Sequence, residues 1–235
     1  MTGALTNKIQ LTVIVPVLNE IELLPQFLSH LQKQWKTPQK IILVDGGSTD
    51  GSWEWIQQNW SEGGFQTQRG RGHQMNFGAE QSTTAGLYFV HVDSKLPHHF
   101  DLQIAQALEA GCQAGCFQLV FDHANWLLRR AAAGSRWNHL LCRGGDQSLF
   151  VHRELFQELG GYDTRFKVCE DLDLIKRLYR KVKFRVLPQK ILTSSRRFYE
   201  NGTLRLLIHF GIMHFSHWLG AGPQFLYRYY GTFVR

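Results

Sequence analysis

The chain has 235 residues, 43% of them hydrophobic, and shows no low-complexity tract and no internal repeat. That length can bury a sizeable core and excludes a disordered chain, a repeat array and a disulfide-stapled miniprotein. The charge is uneven: residues 1–164 hold 12 Lys+Arg against 15 Asp+Glu, a net of −3, while residues 165–235 hold 14 against 4, a net of +10. The basic final third fits an anionic partner, whether a diphosphate, an anionic membrane surface or nucleic acid; its alternative is a solvated basic face.

Four cysteines, Cys112, Cys116, Cys142 and Cys169, form no zinc-type CxxC pair. Reduced thiols and a cytoplasmic location are therefore expected. The opening "MTGALTNKIQ" has no apolar signal-peptide region, and the next run, "LTVIVPVL", is too short to span a bilayer.

In chain order, residues 11–17, "LTVIVPV", read as a buried parallel strand closed by Pro16. Residues 20–34 have helical apolar spacing at Leu23, Leu24, Phe27, Leu28 and Leu31. A second strand begins at residue 40 and runs into the glycine-rich turn of "KIILVDGGSTDGS", where Ser48, Thr49 and Asp50 can cap a helix over 52–60. A helix over 70–84, a strand over 87–92 and a helix over 98–110 follow. Alternation at this spacing predicts βαβ units and a parallel sheet. After residue 113 the rhythm changes. "GCFQLVFD" and "DQSLFVH" read as strands flanking a helix over 124–140, "EDLDLIKRLYRK" as a helix over 170–181, and "KFRVLP" as a short strand. No linker is evident. One α/β domain over residues 1–200 with a helical appendage over 201–235 is expected.

Ligands of open parallel sheets bind beyond the carboxyl ends of the strands. Three strands end there in polar residues: Asn19 and Glu20, then Asp45 with Gly46 and Gly47, then His91 and Asp93. Asp45 can accept from a ribose hydroxyl or a base N–H, or it can simply close its turn; Asp50 fits the capping role. There is no GxGxxG after the first strand and no P-loop. On a strand, His91 and Asp93 would project to the same side. Glu170 and Asp171 open a helix, where the dipole favours anions. Asp173 and Arg177, four apart, suit a surface ion pair.

The segments "VIVPVLNE", "ILVDGGSTDGS", "GRGHQMNFGA", "VHVDSKLP", "GGDQSLFVHRELFQELGGYD" and "CEDLDLIKRL" occur in this order over roughly residues 11–195. As an ordered set they resemble the family 2 glycosyltransferases of the GT-A fold, in particular a small bacterial-type subgroup. The resemblance implies a mainly parallel central sheet flanked by helices. It implies a nucleotide-diphosphate sugar donor, a divalent metal (Mn²⁺ or Mg²⁺), and inverting transfer to an acceptor hydroxyl. It puts Glu20 and Asp45 at the nucleoside, and Pro16, Asn19, Gly46 and His91 are expected beside them at the donor; Arg69 and Arg71 either face the donor or are solvated loop charges. It gives Asp93 to the metal, as the last carboxylate of a DxD motif whose first position is here His91. It makes Asp171 the general base and sets Gly145, Asp146, Gln147 and Glu170 along the sugar and acceptor.

His91 can ligate metal through a neutral imidazole, bond the ribose, or only pack. A non-catalytic nucleotide-sugar-binding protein and a nucleotidyltransferase are the alternative readings. Retention of Asp93 and Asp171 speaks against the first, and the lack of a basic glycine-rich loop after the first strand speaks against the second. A nucleic-acid binder would leave three carboxylate-bearing strand ends unexplained. Residues 203–219 are apolar and aromatic with flanking arginines, which suits an anionic membrane interface at the inner face of the membrane and a lipid-linked acceptor, or else packing on the domain or in a dimer interface.

Overall fold

The structure is a computed structural model and describes residues 9–37, 39–144 and 147–234. Its first half is an alternation of strands and helices: β1 (Leu11–Val17), α1 (Leu24–Gln34), β2 (Lys40–Asp45), α2 (Ser52–Asn59), β3 (Gly64–Gln66), α3 (Arg71–Glu80), β4 (Gly86–Phe89) and α4 (Phe100–Glu109). The second half holds β5 (Ala114–Phe121), α5 (Trp126–Gly134), a 3₁₀ turn (Leu140–Cys142), β6 (Leu149–His152), α6 (Arg153–Glu158), α7 (Glu170–Lys181), β7 (Arg185–Thr193), α8 (Arg196–Glu200), α9 (Thr203–Trp218) and α10 (Pro223–Phe233). The seven strands form one sheet in the order β3-β2-β1-β4-β6-β5-β7. β6 runs antiparallel to both β4 and β5, and every other pairing is parallel. The expected α/β architecture with a mainly parallel sheet is therefore present.

β1 is buried along its whole length because both faces are covered. Its odd-numbered residues Leu11, Val13, Val15 and Val17 pack with Leu24, Phe27, Leu28 and Leu31 of α1 and with Phe100 and Ile104 of α4. Ile14 faces the other way, onto Met75 and Ala79 of α3, in a cluster that also holds Leu174 and Leu178 of α7. Pleat alternation thus explains a continuous apolar run that serves two layers. A third cluster joins Phe121, Leu128 and Phe198 to Leu206, Met213, Leu226 and Val234, so α9 and α10 pack at the far end of β5.

Pro16 does not close β1. It lies inside the strand, paired with Val44. The β1–β4 pairing ends at Ile14↔Phe89, so Pro16 sits past the point where its missing N–H would be needed on that side. The helix expected from residue 20 starts at Leu24, because Glu20–Leu23 form a turn whose carbonyl at Glu20 accepts from Leu23 and Leu24. The helix expected over 124–140 stops at Gly134. The short elements β3, α6 and α8 and the separate helix α10 had no distinct signal in the pattern.

Gly78 explains how closely α3 lies on the sheet. A Cβ there would stand 2.5 Å from Ile14 Cγ2 and 3.3 Å from Val44 Cγ2, both on β-branched side chains of central strands. Gly78→Val is expected to destabilise by ~1–3 kcal/mol through overpacking. At ~2–4 °C per kcal/mol for a chain of this size, thermal unfolding should register the loss readily.

Candidate active site

The β1–α1 and β2–α2 loops are stapled together. The Asn19 N–H donates to Ser48 Oγ (2.9 Å), Asn19 Oδ1 accepts from the Thr49 N–H (2.8 Å), and the Glu20 N–H donates to Ser52 Oγ (2.9 Å). Asn19 holds φ at 56°, a left-handed turn that asparagine tolerates. Asp50 accepts from the Ile21 and Ser52 N–H groups, so it serves the turn as expected.

Asp45 is completely buried at the end of β2. Its Oδ2 accepts from the Gly47 N–H (2.7 Å), the Ser48 N–H (3.0 Å) and Gln66 Nε2 (3.1 Å). Its Oδ1 is buried with no hydrogen-bond partner among the described residues. A buried carboxylate oxygen left open costs free energy unless a donor arrives, which suits a ligand hydroxyl or N–H. Gly46 is needed for a different approach: a Cβ there would stand 2.9 Å from Gln74 Cδ. Gln74 Nε2 donates to Val17 O and Val44 O, both at 2.8 Å, and so ties the ends of β1 and β2. The close contact at Gly46 is thus with the protein's own α3, while nothing crowds a Cβ at Gly47, whose φ is +87°.

The strand carrying the third polar end stops earlier than the sequence pattern suggests. β4 ends at Phe89, and the Ser94 N–H donates to His91 O (3.1 Å), closing a turn over 91–94. His91 and Asp93 are therefore turn residues, and the expectation that strand geometry aims both to one side is corrected. Val90 and Val92 are buried, so the apolar run reflects burial of the turn as well as of the strand. Lys95 exchanges backbone hydrogen bonds with Leu192 (2.7 and 3.0 Å), which ties this turn to the end of β7 and hence to α8. Asp93 is exposed. Burial, and after it the charge of Asp93, hold the Glu20 carboxyl above its ordinary range, with the Arg196 guanidinium opposing them. Glu20, Asp93 and Arg196 thus share one patch.

A second carboxylate pair opens α7. Cys169 takes a left-handed conformation (φ 63°) at the N-cap, which turns Glu170 and Asp171 inward as the helix begins. Both are buried. Arg71, the first residue of α3, reaches them: its Nε donates to Glu170 Oε1 (2.5 Å), and its Nη2 lies 3.5 Å from Asp171 Oδ2. Burial, then Glu170 and Asp171, push the Cys169 thiol up to about 12, so it stays protonated. Burial followed by the same two carboxylates raises the Tyr162 hydroxyl well above its ordinary value. Its backbone is clasped by Asn76, whose Nδ2 donates to Tyr162 O and whose Oδ1 accepts from its N–H, each at 2.8 Å.

Gln147 is buried beside Cys116, 3.9 Å from its sulfur. Gly145 and Asp146 lie outside the described residues. The Asp173–Arg177 pair is present, and Arg177 also donates to Leu159 O and Gly161 O at 2.7 Å, so the ion pair anchors a turn as well. Arg69 is exposed. Gln66, Gln74, Asn76, Tyr162 and Arg196 were not singled out from the sequence. Gln74 and Asn76 fall within the "GRGHQMN" stretch, and their spacing of two was the available signal. Among the described residues, no group of three or more His, Cys, Asp or Glu side chains could by itself hold a metal ion.

One edge of a mainly parallel sheet thus gathers Asp45, the Glu20–Asp93 patch, and the Arg71–Glu170–Asp171 cluster. Solved structures share this architecture. They include Staphylococcus aureus TarS residues 1–349, at 17% identity and a TM-score of 0.64, covering 87% of this chain and 65% of that one. The same TarS fragment in complex with UDP matches at 17% identity, TM-score 0.65 and the same coverage. The mannosyltransferase PcManGT from Pyrobaculum calidifontis, in complex with GDP-Man and Mn²⁺, matches at 18% identity and a TM-score of 0.68, covering 96% of this chain and 70% of that one. The chain spans 65% of that TarS fragment, 40% of the longer TarS chain and 70% of the mannosyltransferase chain. No curated protein matches the sequence. The class is therefore the GT-A glycosyltransferase fold. The profile described as "Glycosyl transferase family 2" matches residues 12–216, and the chain belongs to that family.

Proposed function

We propose that the protein transfers a hexosyl or related sugar from a nucleotide-diphosphate donor to an acceptor hydroxyl, with inversion and with a divalent metal. The observation that carries this reading is the buried Asp45 carboxylate with one oxygen left open at the strand edge. The neighbouring patch and the α7 carboxylates supply the remaining roles. Asp45 would accept from the nucleoside, and Glu20, whose carboxyl is raised by burial and by the charge of Asp93, would accept beside it.

In the transfer step, Asp171 takes the proton of the acceptor hydroxyl. The acceptor oxygen forms its bond to the anomeric carbon as the carbon–oxygen bond to the diphosphate breaks on the opposite face. The electron pair leaves on the phosphate oxygen. Asp171 sits in the first turn of α7 with Arg71 Nη2 3.5 Å from its Oδ2, and a carboxylate there would serve as the base. Arg71, which pairs with Glu170 and Asp171 from the start of α3, would steady the departing diphosphate.

The donor set for a metal is one exposed carboxylate, Asp93, with His91 two residues before it. That fits a hard cation that takes most of its oxygens from the diphosphate. When bound, such an ion neutralises charge on the leaving group. The Mn²⁺ and GDP-Man in the mannosyltransferase support this reading. Domain limits of 1–200 and 201–235 remain our working division.

A thermal-shift screen of UDP-, GDP-, ADP- and TDP-sugars, each with and without manganese, tests the proposal. A donor at ~100 times its dissociation constant stabilises by ~2.7 kcal/mol. That corresponds to a rise of roughly 5–11 °C. Absence of a shift with every nucleotide, in both metal conditions, would overturn the reading.

A further inference from the structure

Ten of the thirteen exposed large hydrophobic side chains among the described residues lie between Tyr199 and Phe233. They are ordered. α9 buries Leu206, Met213 and His217 on one side. On the opposite side Leu204, Ile208, Ile212, Phe215 and Leu219, spaced four, four, three and four apart, form a stripe in which each residue is 42–66% exposed. That is the apolar face of an amphipathic helix, turned away from the core.

α10 widens the stripe. Phe225, Tyr229 and Phe233 follow one another along it, with ring centroids 6.3 and 4.9 Å apart. Phe233 stacks on His209 of α9 (5.6 Å), and Arg205 donates to Phe233 O (3.2 Å), so the two helices present one surface. A soluble monomer rarely leaves so large an apolar patch uncovered.

Charge says what covers it. Residues 201–235 contain three arginines and no Asp or Glu. Arg197 lies against the rings of Phe210 and Tyr230, and Lys167 lies over Tyr227. At the C-terminal end of α9, Lys176 donates to the carbonyls of His217 and Trp218 and lines a pocket of about 190 Å³ with Arg180 and the Asp173–Arg177 ion pair. A cationic rim around aliphatic and aromatic side chains matches an anionic lipid surface, with rings at headgroup level and arginines at the phosphates. A second copy of the chain fits less well: a two-fold pairing would oppose the same arginines with no carboxylate from this segment between them. No helix among the described residues is long and apolar enough to cross a membrane, so the contact is with the surface.

We infer that the outer face of α9 and α10 seats the protein on an anionic bilayer. The consequence for the site follows from α7. Asp171 lies five residues from Lys176, ~7.5 Å along the helix, and Lys176 touches the end of α9. The proposed base and the contact with the end of α9 thus lie on one helix. The surface itself is independent of the glycosyl-transfer reading.

Flotation of the full chain with vesicles of equimolar phosphatidylglycerol and phosphatidylcholine, and with phosphatidylcholine alone, tests this. Binding is expected to the anionic vesicles at low salt. It should be at least tenfold weaker on neutral vesicles, and should fall as the Debye length shortens from ~30 Å at 0.01 M to ~10 Å at 0.1 M salt. Ile208→Glu combined with Phe215→Glu should abolish flotation without lowering the melting temperature or the response to nucleotide, because both side chains are exposed. Arg205→Glu with Arg228→Glu should weaken binding by more than tenfold, at roughly fivefold per lost basic side chain. Absence of anionic-vesicle binding at low salt would overturn the inference. So would a stable dimer in sedimentation that Ile208→Glu dissociates, since a second copy would then cover this face.

Discussion

Asp171→Asn is expected to slow transfer by ~10²–10⁴-fold while leaving nucleotide affinity nearly unchanged. The asparagine keeps the shape of the side chain and can still accept from Arg71 Nη2, now 3.5 Å from Oδ2. What it loses is the capacity to take a proton. The nucleoside side of the edge, built from Asn19, Asp45 and Ser48, shares no hydrogen bond with α7 among those described. Donor binding should therefore survive, and a thermal shift by nucleotide would confirm that the variant is folded. Glu170→Gln should behave differently. Glu170 is 1% exposed and holds Arg71 at 2.5 Å, so its neutralisation weakens a charge-assisted bond and displaces the arginine. Its effect should appear in stability as well as in rate. Normal turnover of Asp171→Asn with a competent acceptor would remove Asp171 as base.

The layer architecture was legible because β1 and β2 are continuous apolar runs bounded by loop residues, and because α1, α4 and α7 carry clear apolar periodicity. β3 escaped notice because Gly64–Gln66 gives only three residues to read. β4 was overextended because Val92 is as buried as a strand residue although the chain has already begun to turn. Hydrophobicity reports burial, and at this edge burial continues past the last ladder hydrogen bond.

The carboxylates of the site were legible as residue types at strand and helix ends. Their partners were not. Gln66 reaches Asp45 across 21 residues, and Arg71 reaches Glu170 across 99. The first is set by the β2–β3 register, which pairs Asp45 with Gln66, and the second by how α3 and α7 dock on the sheet; no local pattern encodes either. Gly46 illustrates the same limit from the other side. A glycine after a strand-end aspartate suggests room for a ligand, yet the space belongs to Gln74.

Asp93→Ala is expected to abolish the coupling between manganese and nucleotide diphosphate. Free manganese should bind the unmodified protein weakly, because one exposed carboxylate and one turn histidine leave most positions of a six-coordinate ion to water. A diphosphate supplies further oxygens and negative charge, so each ligand should raise the affinity of the other by the same factor. Couplings of this kind amount to ~5–150-fold, and that factor should fall to one in Asp93→Ala. The variant also removes a negative neighbour of Glu20, so the Glu20 carboxyl should move back toward its ordinary range. Glu20 remains as a second carboxylate in the patch, and residual metal binding by it is the competing outcome. Asp93→Ala combined with Glu20→Gln separates the two. His91 lies in the same turn, its carbonyl held by the Ser94 N–H at 3.1 Å, so its ring can swing without breaking that bond. His91→Ala should therefore reduce the coupling strongly if the imidazole ligates the ion, and only slightly if it contacts the donor. Calorimetric titration of manganese, with and without the nucleotide that stabilises best, reads all of these. Tight manganese binding in the absence of nucleotide, or undiminished coupling in both Asp93→Ala and the double variant, would place the metal outside this edge.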